Sequence, residues 1–169
     1  MSLDLDLDLQ IAAEDRDHPT LQQLERWVVA ALSGRRNRAA LTIRLVEPSE
    51  SQALNRQYRG SDRPTNVLSF PFELPPGIDP RDPIHGLIGD LVICSALVRQ
   101  EASAQGKALE AHWAHLVVHG VLHLIGYDHH SPGQAAEMES LETAILAGLG
   151  FPPPYEDQEA MEELETRHD

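Results

Sequence analysis

Leu109-Glu-Ala-His-Trp-Ala-His-Leu-Val-Val-His119-Gly-Val-Leu-His123-Leu-Ile-Gly126-Tyr-Asp-His129 is the stretch on which the reading of this chain turns. Its composition predicts a helix from about Leu109 to near Gly126. On such a helix His119 and His123 lie one turn apart on a single face, so their imidazoles can aim at a common point. A helix running straight on would carry His129 away from that point. Gly126 can take the left-handed conformation that ends a helix and turns the chain back, which returns His129 as a third ligand. Three nitrogen ligands with an open fourth position is the arrangement of a catalytic zinc site, whereas structural zinc is usually closed by four protein ligands. Zinc peptidases with this spacing carry a glutamate after the first histidine as general base. Here that position is Gly120.

Six of the nine histidines fall between His112 and His130, so composition alone does not select the ligands. His115 and His119 also stand at i, i+4 and form a competing pair. The glycine turn and His129 favour His119, His123 and His129, while His130, adjacent to His129, is expected to point elsewhere. A three-nitrogen set suits one Zn²⁺ ion and leaves nickel, copper or iron open. Asp128 has two readings of equal weight, as a partner that orients the metal site or as a turn-forming residue.

The chain has 169 residues, 41% hydrophobic and 24% charged, a size and balance that suit one soluble domain. No apolar run reaches the roughly 20 residues of a membrane span. The N-terminus is acidic and alternating, unlike a secretion signal. Cys94 is the only cysteine, so no intramolecular disulfide forms, and a cytoplasmic location is expected. The net charge of −14 argues against a polyanionic partner, but between Arg26 and Arg63 there are eight arginines against three acids. That segment can present a cationic surface on a protein that otherwise repels nucleic acid. Arginines 35, 36 and 38 also fit a simple solubilising loop.

Alternating Leu3, Leu5, Leu7, Leu9 and Ile11 predict a half-buried strand. Pro19-Thr20 opens a helix stopped by Gly34, and Leu41–Val46 is a second strand. Glu47-Pro48-Ser49 reads as a turn and N-cap before a helix over about 50–58, with Arg59–Pro64 as a loop. Residues 66–71 read as a short strand that Pro71 marks as an edge or an end. Residues 73–86 are a surface excursion, and 87–94 is the most buried strand. Ser95 caps a helix to about Gln105, and Ser131-Pro132 opens a last helix ending near Gly150. The expected division is a domain over 1–150 and an acidic, flexible tail over 151–169.

Beyond the histidines, Tyr58-Arg-Gly-Ser-Asp-Arg-Pro-Thr-Asn-Val-Leu-Ser-Phe-Pro71, Gly89-Asp-Leu-Val-Ile-Cys94 and Ala111-His-Trp-Ala-His115 are further distinctive blocks. Together, and in this order from about Leu41 to Gly150, they resemble the YbeY endoribonucleases, bacterial factors for rRNA maturation. The segment between Pro75 and Leu87 is longer than the family pattern. The resemblance implies a single-domain α+β fold with a small mixed sheet of about four strands, about five helices and a zincin-like zinc helix. It implies His119, His123 and His129 as zinc ligands and Arg59 as the essential arginine facing the metal across a cleft. It also implies a zinc-dependent, single-strand-specific endoribonuclease acting on the 3′ end of 16S rRNA and in ribosome quality control. The small ribosomal subunit and assembly factors would be its partners, with neither membrane nor DNA involved.

Such chemistry is metal plus arginine: a guanidinium suits phosphate oxygens, and a zinc-activated water or the RNA 2′-hydroxyl attacks. Phe70, Phe72 and Tyr127 are the few aromatics near these blocks, and core packing is their favoured role. Two other readings remain, an assembly factor with a structural zinc, and a zinc peptidase opposed by Gly120.

Overall fold

The computed structural model describes residues 3–155. The alternating N-terminus forms β1 (Asp4–Ile11), its leucines half-buried and its aspartates in solvent. Thr20 caps α1 (Leu21–Leu32): its hydroxyl accepts from the Gln23 N–H and the Gln23 side chain accepts from the Thr20 N–H. This reciprocal pair satisfies two donors that a bare helix start leaves unpaired. β2 (Arg38–Val46) begins three residues earlier than its hydrophobic pattern suggests, because Arg38 already pairs with Asp4 of β1.

Next comes α2 (Pro48–Arg59), which starts at Pro48 rather than Glu50. Proline at the first helical position has no N–H to lose and its φ is already helical. The same helix runs through Arg59 and stops at Gly60, whose φ of 70° is the left-handed cap. Arg59 is therefore the last residue of a helix and not the first of a loop. β3 (Val67–Pro71), a 3-10 turn at Pro83–Gly86 and β4 (Leu87–Cys94) follow. α3 (Ser95–Gln105), α4 (Leu109–Leu124) and α5 (Pro132–Gly148) complete the described elements.

The sheet order is β1-β2-β4-β3. β1, β2 and β4 run parallel, and β3 is antiparallel to β4, so the sheet is mixed and β3 is an edge. The four strands and five helices form the α+β arrangement expected from the sequence. Leu41, Ile43, Leu45, Leu91 and Ile93 face one side, against α1 and α4, and Trp27 and Trp113 are buried there. Beyond Glu110 in its first turn, α4 is apolar on every side except its histidines, the pattern of a central helix. The opposite face carries a smaller cluster, Val46, Leu68, Val92 and Cys94, roofed in part by Leu54 of α2. Phe151 packs edge-on against Trp27, and the acidic segment 156–169 lies outside the described residues. Among the described residues no helix is long and apolar enough to cross a membrane.

One irregularity shapes the edge near α4. Leu87 of β4 faces Ala40 but Gly89 faces Leu41, so β4 holds one extra residue. Gly89 has a φ of 138°, and a Cβ there would lie 2.2 Å from the Phe70 carbonyl oxygen. Gly89→Ala is expected to destabilise the protein by at least ~1–3 kcal/mol. Gly133→Ala, in the first turn of α5 with open space around it, should instead stabilise by about 0.4–1 kcal/mol. Urea unfolding of the two variants checks both the sizes and the opposite signs.

Candidate metal centre

α4 ends one residue after His123. Ile125 takes the cap position, Gly126 adopts a φ of 107°, and the Tyr127 N–H returns to the Leu122 carbonyl at 3.0 Å. This glycine-terminated reversal brings His129 back beside the helix. Ring centroids are 4.6 Å apart for His119 and His123, 5.0 Å for His123 and His129, and 6.1 Å for His119 and His129. One ring nitrogen from each lies within 4.8 Å of the other two. His119 and His123 are half-buried and His129 is exposed, so the cluster opens to solvent on the His129 side.

The donor set fits a metal. His119 Nε2 and His123 Nε2 are 3.1 Å apart, and neighbouring nitrogens of a tetrahedral zinc with ~2.0–2.1 Å bonds stand about 3.3 Å apart. Burial, then the neighbouring His119 and His129, push the His123 ring down to about 4, so it is neutral near pH 7 and has a lone pair to offer. His119 is fixed from behind by Glu142 of α5, a carboxylate with 0% exposure, which accepts from His119 Nδ1. Burial alone would raise the Glu142 carboxyl, but hydrogen bonds from His115 and His119 outweigh it and hold it at about 2. Because a carboxylate only accepts, the proton sits on Nδ1 and His119 Nε2 is left free toward the other two histidines.

The competing 115/119 pair meets at the same carboxylate. His115, His119 and Glu142 also bring ligand-type atoms within 4.8 Å of one another. Those atoms are already engaged: His115 Nε2 lies 3.1 Å from Glu142 Oε2 and 3.1 Å from the Tyr155 hydroxyl, which itself donates to Glu142. Burial keeps the His115 ring below its ordinary value. His130 turns away from the triad to Asp128, at 2.9 Å. Asp128 Oδ1 accepts the His129 N–H at 2.7 Å, the bond that most lowers its carboxyl, so Asp128 shapes the loop that carries His129.

Arg59 comes to the same place from the other side. Ser51 of α2 bonds both the Thr65 carbonyl and the Thr65 N–H, and Asn55 donates to the Arg63 carbonyl. These bonds fold the 60–65 loop back onto α2 and fix its last turn. Arg59 lines a cleft of about 320 Å³ with Ser69, Pro71, His123, Tyr127 and Asp128. It is exposed and has no hydrogen-bond or ion-pair partner among the described residues. Gly120, where peptidases carry their base, faces the sheet: a Cβ there would lie 2.8 Å from Leu91 Cδ2. A side chain at the position next to His119 would press on the buried Leu91.

Sequence reasoning missed Glu142 and Tyr155. The signal for Glu142 was present, since it stands between Met138 and Leu146 at helical spacing, a charge in an otherwise apolar stripe. Tyr155 carried no signal. Glu142→Ala is expected to weaken zinc binding about 10–100-fold, the usual effect of removing a group that orients a ligand histidine. Glu142→Gln, whose amide oxygen can still accept from Nδ1–H, should lose less. Competition with a zinc chelator measures both.

Residues 10–150 match the family model described as endoribonuclease YbeY. The chain is also similar to the solution structure of TM1509 from Thermotoga maritima, with 25% identity, a TM-score of 0.55, and coverage of 83% of this chain and 91% of that one. The matched span holds α1 to α5, Arg59 and all three clustered histidines. This chain, with a histidine cluster able to hold a metal and an arginine in the adjoining cleft, belongs to the YbeY family of endoribonucleases, whose substrate is RNA and whose setting is rRNA processing.

Proposed function

We propose that this protein is a zinc-dependent endoribonuclease specific for single-stranded RNA. It would act in the cytoplasm on the 3′ end of 16S rRNA and in ribosome quality control, with the small subunit and assembly factors as partners. One Zn²⁺ would be held by His119, His123 and His129, with Arg59 as the catalytic arginine. The observation that carries this reading is the shared cleft: Arg59, at the end of α2, lines the same space as His123, at the end of α4.

Cleaving a phosphodiester adds negative charge to the phosphoryl oxygens in the transition state. Zinc bound at the triad would supply Lewis acidity and a water acidified to near neutrality. The chain itself supplies the rest. Arg59 is always charged, has no partner among the described residues to release, and presents a planar fork that matches two phosphate oxygens. Its anchored helix end limits the reorganisation needed when charge develops, which is where electrostatic catalysis gains. Glu142 keeps His119 in the tautomer that faces the triad. Gly120 opposes the peptidase reading on steric grounds as well as by its lack of a carboxylate.

The test offers single-stranded rRNA fragments and a casein-type substrate to zinc-loaded protein. Arg59→Ala is expected to lower kcat/KM for RNA about 10²–10³-fold with zinc content unchanged. His123→Ala should lose both zinc and cleavage. RNA cleavage that survives both substitutions would overturn the reading, and casein cleavage without RNA cleavage would favour a peptidase.

A further inference from the structure

A second depression lies on the far side of the edge strand from the metal centre. Successive residues of β3 point to opposite faces. Ser69 and Pro71 line the cleft that holds Arg59 and His123, whereas Phe70 belongs to the cluster on the other face. There Phe70 meets Tyr58, whose side chain is among the most exposed large hydrophobics of the protein, at 59%. The two rings are 5.0 Å apart and inclined at 69°. They wall a groove of about 540 Å³ floored by Leu54 and Val92, with Thr42 and Asp90 along its polar side.

The charges say what this groove receives. Its cation, Arg44, is already engaged, bonding Glu50 at 2.7 and 3.0 Å and Gln10 at 3.2 Å. The Asp90 carboxylate is exposed and has no hydrogen-bond or ion-pair partner among the described residues. Cross-strand register puts Phe70, Asp90, Thr42 and Asp8 in one row across the sheet. A row with two acids and no free cation repels a phosphate. It suits a flat ring that stacks on an aromatic and turns N–H groups toward a carboxylate. Exposed cations stand instead on the helix end that carries Tyr58: Arg56 and Arg59 lie in the last turn of α2, and Arg63 is in the loop that follows.

We propose that the Tyr58–Phe70 groove is a nucleobase subsite for the RNA strand, taking a base next to the cleaved linkage after the strand crosses the β3 edge. This rests on the endoribonuclease reading above and adds to it a place where a base is held and selected. Tyr58 and Arg59 are consecutive, so one helix end would grip a base with one residue and a backbone phosphate with the next. Guanine is the preferred base, because its N1–H and N2–H can both donate to the Asp90 carboxylate. Stacking on Tyr58 is tolerant of base identity, whereas the Asp90 contact is not.

The experiment uses zinc-loaded protein and short single-stranded RNAs that contain guanine, uracil or an abasic residue at each position in turn. Binding is followed by anisotropy and cleavage by steady-state kinetics. Tyr58→Ala should bind guanine-containing RNA roughly 5–100-fold more weakly, the size of one lost base–aromatic stack, and should distinguish it less from the abasic strand. KM should rise while kcat and zinc content stay unchanged, and Tyr58→Phe should restore binding. Asp90→Asn should reduce the guanine preference and leave abasic RNA unaffected. If Tyr58→Ala cleaves and binds as the parent does, the subsite is overturned and the nuclease reading stands. If the parent neither binds nor cuts any of the strands, both fall. If Tyr58→Ala leaves RNA affinity intact but abolishes binding to ribosomal subunits, the groove is a protein contact and the proposal is overturned.

Discussion

Glu142 is a carboxylate without access to solvent, and the geometry of the metal centre depends on how its charge is matched. Placing a lone charge in a protein interior is prohibitively unfavourable, so such groups survive only when paired and fully hydrogen-bonded. Glu142 is bonded by His119, His115 and Tyr155. Those bonds join α4, α5 and the chain after α5 at one point, and they set which nitrogen His119 offers. Removing Glu142 leaves the buried His115 without its carboxylate acceptor, a loss typically on the order of 1–3 kcal/mol for an unmet buried hydrogen-bonding group. Stability and ligand orientation are thus two effects of one carboxylate. The acidity of Glu142, held at about 2, keeps it an acceptor throughout the physiological range.

The sheet edge organises the rest. β3 runs antiparallel beside β4 and, among the described residues, has no strand on its outer side. It is thin enough that alternate residues reach two separate depressions, the cleft of Arg59 and His123 and the groove of Tyr58 and Phe70. The last turn of α2 overlooks both. A protein with a net charge of −14 can serve RNA in this arrangement because two exposed arginines, Arg56 and Arg59, stand in that last turn. The aspartates of β1 stand at the opposite edge of the sheet.

Much of this was legible in the residues, for reasons that differ from one to the next. The pairing of His119 with His123 follows from helical spacing, and the return of His129 follows from one glycine, so both could be read locally. Arg59 could not: nothing in its spacing links it to a histidine sixty residues away, and only its likeness to a family block singled it out. The expected loop at 59–64 overlooked that proline can start a helix and glycine can end one, which moves Arg59 into α2. Glu142 was passed over because a single glutamate in a helix ordinarily faces water. Its depth is fixed by partners on α4 and at Tyr155, and such contacts have no local signature. Tyr58 likewise gives no hint of its exposure until β3 is set against β4.

The central claim is that the RNA-cutting centre is one zinc ion held by three histidines beside Arg59. The most direct measurement is RNA cleavage after the purified protein is stripped of metal and titrated with zinc. The account predicts that cleavage disappears in the stripped protein and returns in proportion to zinc, reaching a plateau at one ion per chain. Undiminished cleavage by the metal-free protein would contradict it.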